Sequence, residues 1–596
     1  MIVSDYILNF FQKKGINRAF LITGGAVAFL VDAFSRNKKI KYTCVAHEQA
    51  AAMMADAYSR TGPNLSLTMA TSGPGATNLI TGIACSWFDS IPSIHITGQV
   101  PRHEMSNFSK STKNVRQVGF QETDIVSICK PITKFSYQIK NKEELKFILE
   151  KAVHISQTGR PGPVLLDIPM DIQKEEYKPK SYKSFKVKKR IDNKIDFLKI
   201  NLELNKSKKP IIILGGGIRY SKSENYLDKL LSKNKIPIVS TWSGKDLVDD
   251  NNHMNMGSIG VYGSRAANLM IQNSDFILNL GSRLDTRVTG GRPSTFARKA
   301  KIISVDIDKN ELNKKRGLKL YKKVNCDLKI FLKIAINKVK LKNKNQINSW
   351  IKKCRYLKEK FPVDENINKS SRKVCPYKFV SILSDLLKKN EIIIPDDGAH
   401  LTWAMQSFKV KKGQRLFSAF GNSPMGYAFP ASIGAAFAYE KKKRIICIDG
   451  DGSIQINIQE LQTAKFNNLP IKIFILNNNG YGIIKQFQDL YLGKRHEATI
   501  NKKGVSNPDF KKIAYAYGIK YSNIKTNKEI ETKLTKVLKN KDLEIIEIFV
   551  EKEQKIIPKL EYGRPIEDLS PLLDRKLFSE IMGSNQIKSK NSLEIN

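Results

Sequence analysis

The sequence predicts an α/β protein of three doubly wound domains, each built on a parallel sheet. Apolar runs of strand length alternate with helix-period segments along most of the chain, the pattern of repeated strand–helix–strand units with helices on both sheet faces. A chain of 596 residues has room for three or four domains of ordinary size. Two basic, polar stretches, at 173–192 and around 338–344, divide it where linkers would fall.

In the first segment, read as residues 1–172, an amphipathic helix opens the chain. Arg18-Ala-Phe-Leu-Ile, Leu65-Ser-Leu-Thr-Met-Ala, Ser93-Ile-His-Ile-Thr and Pro163-Val-Leu-Leu-Asp-Ile read as strands. The second, 193–340, opens on Pro210-Ile-Ile-Ile-Leu and continues through Pro237-Ile-Val-Ser, Phe276-Ile-Leu-Asn-Leu and Ile302-Ile-Ser-Val-Asp. Its glycine-rich turn after the first strand looks Rossmann-like, and all three segments are expected to be. The third, 375–560, has strands at Ile392-Ile-Ile-Pro, Arg444-Ile-Ile-Cys-Ile-Asp, Ile471-Lys-Ile-Phe-Ile-Leu and Glu544-Ile-Ile-Glu-Ile. Residues 561–596 read as a C-terminal tail, polar and mobile after about Met582.

Composition narrows the function classes. With 41% hydrophobic and 26% charged residues and no long uninterrupted apolar stretch, the chain reads as a soluble protein without a membrane partner. The start lacks the basic and apolar regions of an export signal, and seven widely spaced cysteines build neither a disulfide framework nor a metal knuckle, so a cytoplasmic location is expected. The net charge of +45 is spread over loops such as Lys441-Lys-Lys-Arg444, without the patch that nucleic-acid binding needs. A non-catalytic nucleic-acid protein would account for that charge but for none of the motifs below.

The chemistry is carried by two strand ends, Ile448-Asp-Gly-Asp-Gly-Ser453 and Leu476-Asn-Asn-Asn-Gly-Tyr-Gly482. The turn at Gly450 and Gly452 lets the backbone approach a diphosphate. Asp451 offers a hard oxygen ligand to Mg²⁺, and Asn478 and Gly480 can add carbonyl oxygens if both strands share one sheet. A lone Gly-Asp-Gly is commonly a plain turn; with a strand-terminal Asn-Asn at this interval it forms the signature of thiamine diphosphate binding.

The chain here resembles the thiamine diphosphate enzymes, and among them the acetolactate synthase large-subunit family. Val45-Ala-His-Glu-Gln-Ala-Ala-Ala-Met-Met-Ala-Asp-Ala-Tyr-Ser-Arg60 matches the motif of the activating glutamate, and Ala70-Thr-Ser-Gly-Pro-Gly-Ala-Thr-Asn78 follows in register. The resemblance implies a pyrimidine-binding first domain, a central FAD-type domain and a pyrophosphate-binding third domain. Glu48 would then hydrogen-bond the aminopyrimidine, where composition alone makes it a first-turn helix glutamate. Gly25, Gly73, Asn78, His400, Met425 and Ser453 would join Gly450 and Gly452 around the cofactor. Phe120 and Gln121, in Gly119-Phe-Gln-Glu, would face the reacting carbons; a core phenylalanine and a satisfied surface histidine are the plain readings of Phe120 and His400. The family builds each site from two subunits, so a homodimer or tetramer is implied; the motifs leave a regulatory subunit undecided.

The central segment resembles the family's FAD domain through Leu214-Gly-Gly-Gly217, Gly281-Ser-Arg-Leu-Asp-Thr-Arg-Val-Thr-Gly290 and Val305-Asp-Ile-Asp308. Arg160, Gly215, Gly216, Arg283, Asp285, Arg287 and Asp306 would hold a flavin of structural use, since the implied reaction passes no electrons to an acceptor. That reaction decarboxylates pyruvate and joins the two-carbon unit to a second 2-oxo acid, giving 2-acetolactate and CO₂ as in branched-chain amino acid synthesis. Four positions depart from the family pattern: Met170 for a lysine, Phe487 for a tryptophan, Thr286 for an aspartate, and Val261-Tyr262 for Met-His. They put the acceptor in doubt, so a carboligase acting on another carbonyl, such as a keto-sugar, or a simple 2-oxo acid decarboxylase stands as the alternative.

Overall fold

The computed structural model describes all residues except 113–114, 188–194, 343, 363–371 and 586–596. Part of the linker read at 173–192 and the end of the tail read at 561–596 thus lie outside the described residues. The chain folds around three six-stranded sheets, and every pairing between neighbouring strands is parallel.

The first sheet holds β1 (Arg18–Leu21), β2 (Lys41–Cys44), β3 (Leu67–Ala70), β4 (Ile94–Gln99), β5 (Phe135–Gln138) and β6 (Val164–Pro169), in the order β2-β1-β3-β4-β6-β5. The second holds β7 (Pro210–Leu214), β8 (Ile238–Ser240), β9 (Asn255–Ser258), β10 (Phe276–Leu280), β11 (Lys301–Asp306) and β12 (Lys322–Asn325), in the order β12-β11-β10-β7-β8-β9. The third holds β13 (Ile392–Pro395), β14 (Arg415–Leu416), β15 (Ile445–Gly450), β16 (Ile471–Asn477), β17 (Lys520–Ile524) and β18 (Glu544–Phe549), in the order β14-β13-β15-β16-β18-β17. The first and third sheets thus share one topology. The central sheet has the 3-2-1-4-5-6 order of dinucleotide-binding folds.

The four inner strands of each sheet are those the apolar runs predict. Both edges of every sheet, β2 and β5, β9 and β12, β14 and β17, escape that reading. Inner strands are buried on both faces and need apolar side chains throughout, whereas β2, at the edge of the first sheet, exposes three of its four residues. The first predicted helix forms over Val3–Lys13 and buries Ile7, Leu8, Phe10 and Phe11. Within 561–596, the helix Arg575–Met582 buries Phe578, Ile581 and Met582 in a core shared with the central domain.

The first and third domains meet through the helices Glu48–Thr61 and Ala428–Ala438. Both are rich in alanine, and a Cβ at Gly434 would lie 2.1 Å from the carbonyl oxygen of Met54, so only small residues permit this approach. One core cluster consequently joins Phe20, Met53 and Tyr58 to Tyr427, Phe429 and Ile473. Within it Arg60 lies 3.0 Å from both Asp56 and Asp89, donates to the Ser418 carbonyl at 3.1 Å, and shares Asp56 with the Tyr427 hydroxyl. Replacing Arg60 would leave two carboxylates buried and unpaired. Arg60→Met is therefore expected to lower stability by about 3–5 kcal/mol, and Tyr427→Phe by about 1 kcal/mol, in urea unfolding.

Candidate active site

In a doubly wound sheet, connections leave opposite faces of two adjacent strands and open a crevice at their carboxyl ends. In the third sheet these strands are β13 and β15. The register pairs Gly450 with Leu476, so the turns after β15 and β16 emerge side by side. Asp451 there accepts hydrogen bonds from the backbone N–H groups of Gly452 at 2.9 Å and Gly480 at 3.2 Å, and from Asn507 Nδ2 at 2.7 Å. Burial still pushes its carboxyl up to about 6, against those donors. A desolvated carboxylate is a hard oxygen ligand that suits a divalent cation. Asn478 packs its amide over Gly482, whose added Cβ would lie 2.5 Å from Nδ2. The motifs identify Asp451, Asn478 and Gly480; Asn507, in a loop 56 residues further on, carries no sequence signal of its own.

His400 follows β13 in the first turn of the helix Ala399–Ser407. Its ring lies against the diphosphate-type turn, since a Cβ at Gly450 would stand 2.6 Å from Cε1. Burial drives the imidazole down to about 3, so it is neutral, and its Nε2 is buried without a hydrogen-bond partner among the described residues. That orphaned nitrogen beside Gly450 fits a diphosphate oxygen. Asp396 and Asp449 also come within 4.8 Å of His400. Burial raises Asp396 to about 7 and also raises Asp449, where the nearby charge of Asp396 adds to the effect. Asp396 accepts from the N–H groups of Gly426 at 2.8 Å and Ala428 at 2.7 Å, which fixes the turn carrying Met425. Ser453 donates to the Asp397 carbonyl at 3.3 Å.

In the first sheet the matching strands are β1 and β3. Glu48, 7% exposed, begins the helix capped by His47 and accepts from Asn78 Nδ2 at 2.9 Å. Gly25 leaves open space where a side chain would stand. Gly73 adopts a positive φ of 61°, and an added Cβ would meet the Gln121 side chain at 2.9 Å. Phe120 is 84% exposed, so within one chain its ring walls nothing. Glu122 organises this loop by accepting from the N–H groups of Ser106 and Val118. Among the described residues no hydrogen bond joins Glu48 to the Asp451 turn, although Glu460 holds the backbone at Ala46 and His47 against the third domain.

The central sheet has its switch point between β7 and β10, where a cavity of about 630 Å³ opens. Arg160, Gly216, Arg283, Asp285, Arg287 and Asp306 line it, with Phe420 and Ser423 from the third domain. Gly215 does not; it sits where β7 passes the backbone of Gly281, with 2.2 Å left for a Cβ. Burial pushes Asp306, at the end of β11, up to about 6, and its carboxylate accepts the N–H of Asp308 at 2.9 Å. Arg160 is tied to Asp308 and Glu311 at 3.0 Å each. The Arg287 guanidinium lies 4.7 Å from the Trp242 ring centre, with Nη1 buried and without a hydrogen-bond partner among the described residues. Tyr262 stacks on Trp242 at 5.9 Å.

Comparison with known proteins agrees with this arrangement. Residues 1–128 match the N-terminal TPP binding domain of thiamine pyrophosphate enzymes, 199–333 the central domain and 396–548 the C-terminal TPP binding domain. Fold and site thus define a thiamine pyrophosphate enzyme. The chain is 35% identical over 576 residues to the acetolactate synthase large subunit of Cyanidium caldarium, covering 94% of each chain. It is 32% identical over 568 residues to that of Lactococcus lactis subsp. lactis, again 94% of each, and 34% identical over 546 residues to that of Buchnera aphidicola subsp. Schizaphis graminum, covering 90% of this chain and 92% of the relative. The chain belongs to the acetolactate synthase large-subunit family and is an enzyme of that type. Among the described residues no helix is long and apolar enough to cross a membrane. Gly450→Ala, which drives a methyl group into the His400 ring, is expected to weaken thiamine diphosphate binding at least tenfold with unchanged circular dichroism, as read by cofactor titration.

Proposed function

We propose that the chain decarboxylates pyruvate and transfers the two-carbon unit to a second 2-oxo acid, with thiamine diphosphate and Mg²⁺ at the third domain's switch point. The observation that carries this reading is the buried Asp451–Gly480 contact beside the unpartnered His400 nitrogen. When bound, thiamine diphosphate supplies the carbanion centre that adds to the oxo group and accepts the electron pair as CO₂ leaves. The chain's own residues bind, orient and exclude water. Asp451, the Asn478 side chain and the Gly480 carbonyl would hold the metal; His400, Gly450, Gly452 and Ser453 would hold the diphosphate; Met425 would support the cofactor. Glu48, kept in place by Asn78, would hydrogen-bond the pyrimidine ring and orient it.

The Glu48 half and the Asp451 half belong to different domains, and the exposed Phe120 needs a surface to cover it. We infer that two chains supply the halves of each site, Phe120 and Gln121 of one closing over the cofactor of the other. FAD would occupy the central cavity, held by Asp306, Arg160, Arg283, Asp285 and Arg287, which line it. Its unpartnered Arg287 nitrogen and glycine-lined floor fit such a group.

A second reading concerns the acceptor alone. Phe487 packs on Tyr491 at 5.0 Å and Tyr562 at 6.0 Å, an aromatic cluster in place of a single larger indole, and Met170 presents no charge at the end of β6. The missing lysine charge removes an attraction for the carboxylate of a second 2-oxo acid, so the alternative is another carbonyl, such as a keto-sugar, or simple decarboxylation.

Purified protein given thiamine diphosphate, Mg²⁺, FAD and labelled pyruvate is expected to form one 2-acetolactate per CO₂. CO₂ without acetolactate would point to another acceptor or to none, as in a simple 2-oxo acid decarboxylase, and no CO₂ would refute pyruvate as donor. Glu48→Gln should retain cofactor binding while turnover falls by about 10²- to 10⁴-fold; near-normal turnover would remove Glu48 from this role. Asn507→Ala, which strips a donor from Asp451, is expected to raise the Mg²⁺ concentration for half-maximal activity about tenfold or more.

A further inference from the structure

A second cavity, of about 300 Å³, lies between the central and third domains and shares only Tyr262 with the lining of the larger one. One part of its wall is apolar, made by Met256, Phe361, Met405 and Phe408. The opposite part carries charge. Lys245, 8% exposed, brings its ammonium group to 3.9 Å from Asp250. Lys358, on the helix Asn348–Lys360, donates to the Asn255 carbonyl at 2.8 Å. Burial lowers the pKa of Lys358, Asp250 opposes that shift, and the nearby charge of Lys245 adds to it.

Two ammonium groups therefore face one carboxylate, and that carboxylate already accepts from the Val410 N–H at 2.6 Å and Asn255 Nδ2 at 3.1 Å. The other cations of the lining are engaged: Lys409 pairs with Asp385 at 3.3 Å, and Arg265 donates to the Leu569 and Pro571 carbonyls. Ser407 Oγ is buried in the same wall without a hydrogen-bond partner among the described residues. Lys245 is buried and Lys358 exposed, so the excess positive charge is desolvated at one of its two ammonium groups, and an anion between them would lower that cost. A cavity of this size, largely apolar with a few converging polar groups, has the form of a small-molecule site.

We propose that this cavity binds a small aliphatic monocarboxylate, its carboxylate between Lys245 and Lys358 and accepting the Ser407 hydroxyl, its hydrocarbon body against Met256, Phe361, Met405 and Phe408. Ser407 ends the helix whose first turn carries His400, and Tyr262 separates this cavity from the dinucleotide-type one. An occupant thus touches two elements of the active site without entering it.

Calorimetric titration of the full chain with 4-methylpentanoate, and with 4-methylpentanol as the uncharged control, tests the proposal. The acid is expected to bind saturably and the alcohol at least tenfold more weakly. Lys245→Met and Lys358→Met should each weaken the acid at least tenfold, and Met405→Trp, which fills the cavity and keeps both charges, should abolish binding. No saturable binding of the acid, equal binding of the alcohol, or unchanged affinity in folded variants would each overturn it. The comparison of acid and alcohol on the unaltered protein decides the matter even if a variant fails to fold.

Discussion

The molecule depends on one topological constraint, the switch point of a doubly wound parallel sheet. Where connections leave two adjacent strands toward opposite faces, their carboxyl ends cannot be covered, and a crevice results. The chain makes this arrangement three times, between β1 and β3, β7 and β10, and β13 and β15. Glu48 and Asn78 gather at the first, the cavity of about 630 Å³ opens at the second, and Asp451 and His400 sit at the third. The helices filling the sheet faces are interchangeable in role; the uncovered strand ends are where polar groups can be buried yet reached.

Burial then sets the chemistry of those groups. Asp451, Asp306 and the Asp396–Asp449 pair are all pushed upward by desolvation, and His400 downward. Each would be more stable with a counter-ion or a hydrogen-bonding ligand than alone. The groups that merely support the scaffold show the opposite economy. Arg60, equally buried, is fully met by Asp56, Asp89 and the Ser418 carbonyl, and serves to lock the first domain to the third.

Domain contact decides a further layer. The alanine-rich helices Glu48–Thr61 and Ala428–Ala438 pack closely enough for backbone atoms to meet, which fixes the first and third domains of one chain relative to each other. In that relation Glu48 turns to Asn78 of its own domain while Phe120 projects outward. The central domain contributes Tyr262 and Trp242 to the boundary with the third, and there the aromatic stack separates two cavities of different character.

Much of this was legible in the sequence by itself: the four inner strands of every sheet, and the motif residues Glu48, Asp451, Asn478 and Gly480 at their ends. Such strands are buried on both faces and must be apolar throughout, and turn chemistry is local, so both leave a continuous mark on the chain. Only the tertiary structure decided the edge strands, whose half-exposed residues carry no such mark. It alone brought Asn507 to Asp451, laid His400 against Gly450 with a nitrogen left unpaired, and set Lys245 and Lys358 before a single carboxylate. Those contacts join residues far apart in sequence, and a charge or hydrogen bond left unmet exists only once the surrounding chain has excluded water from it.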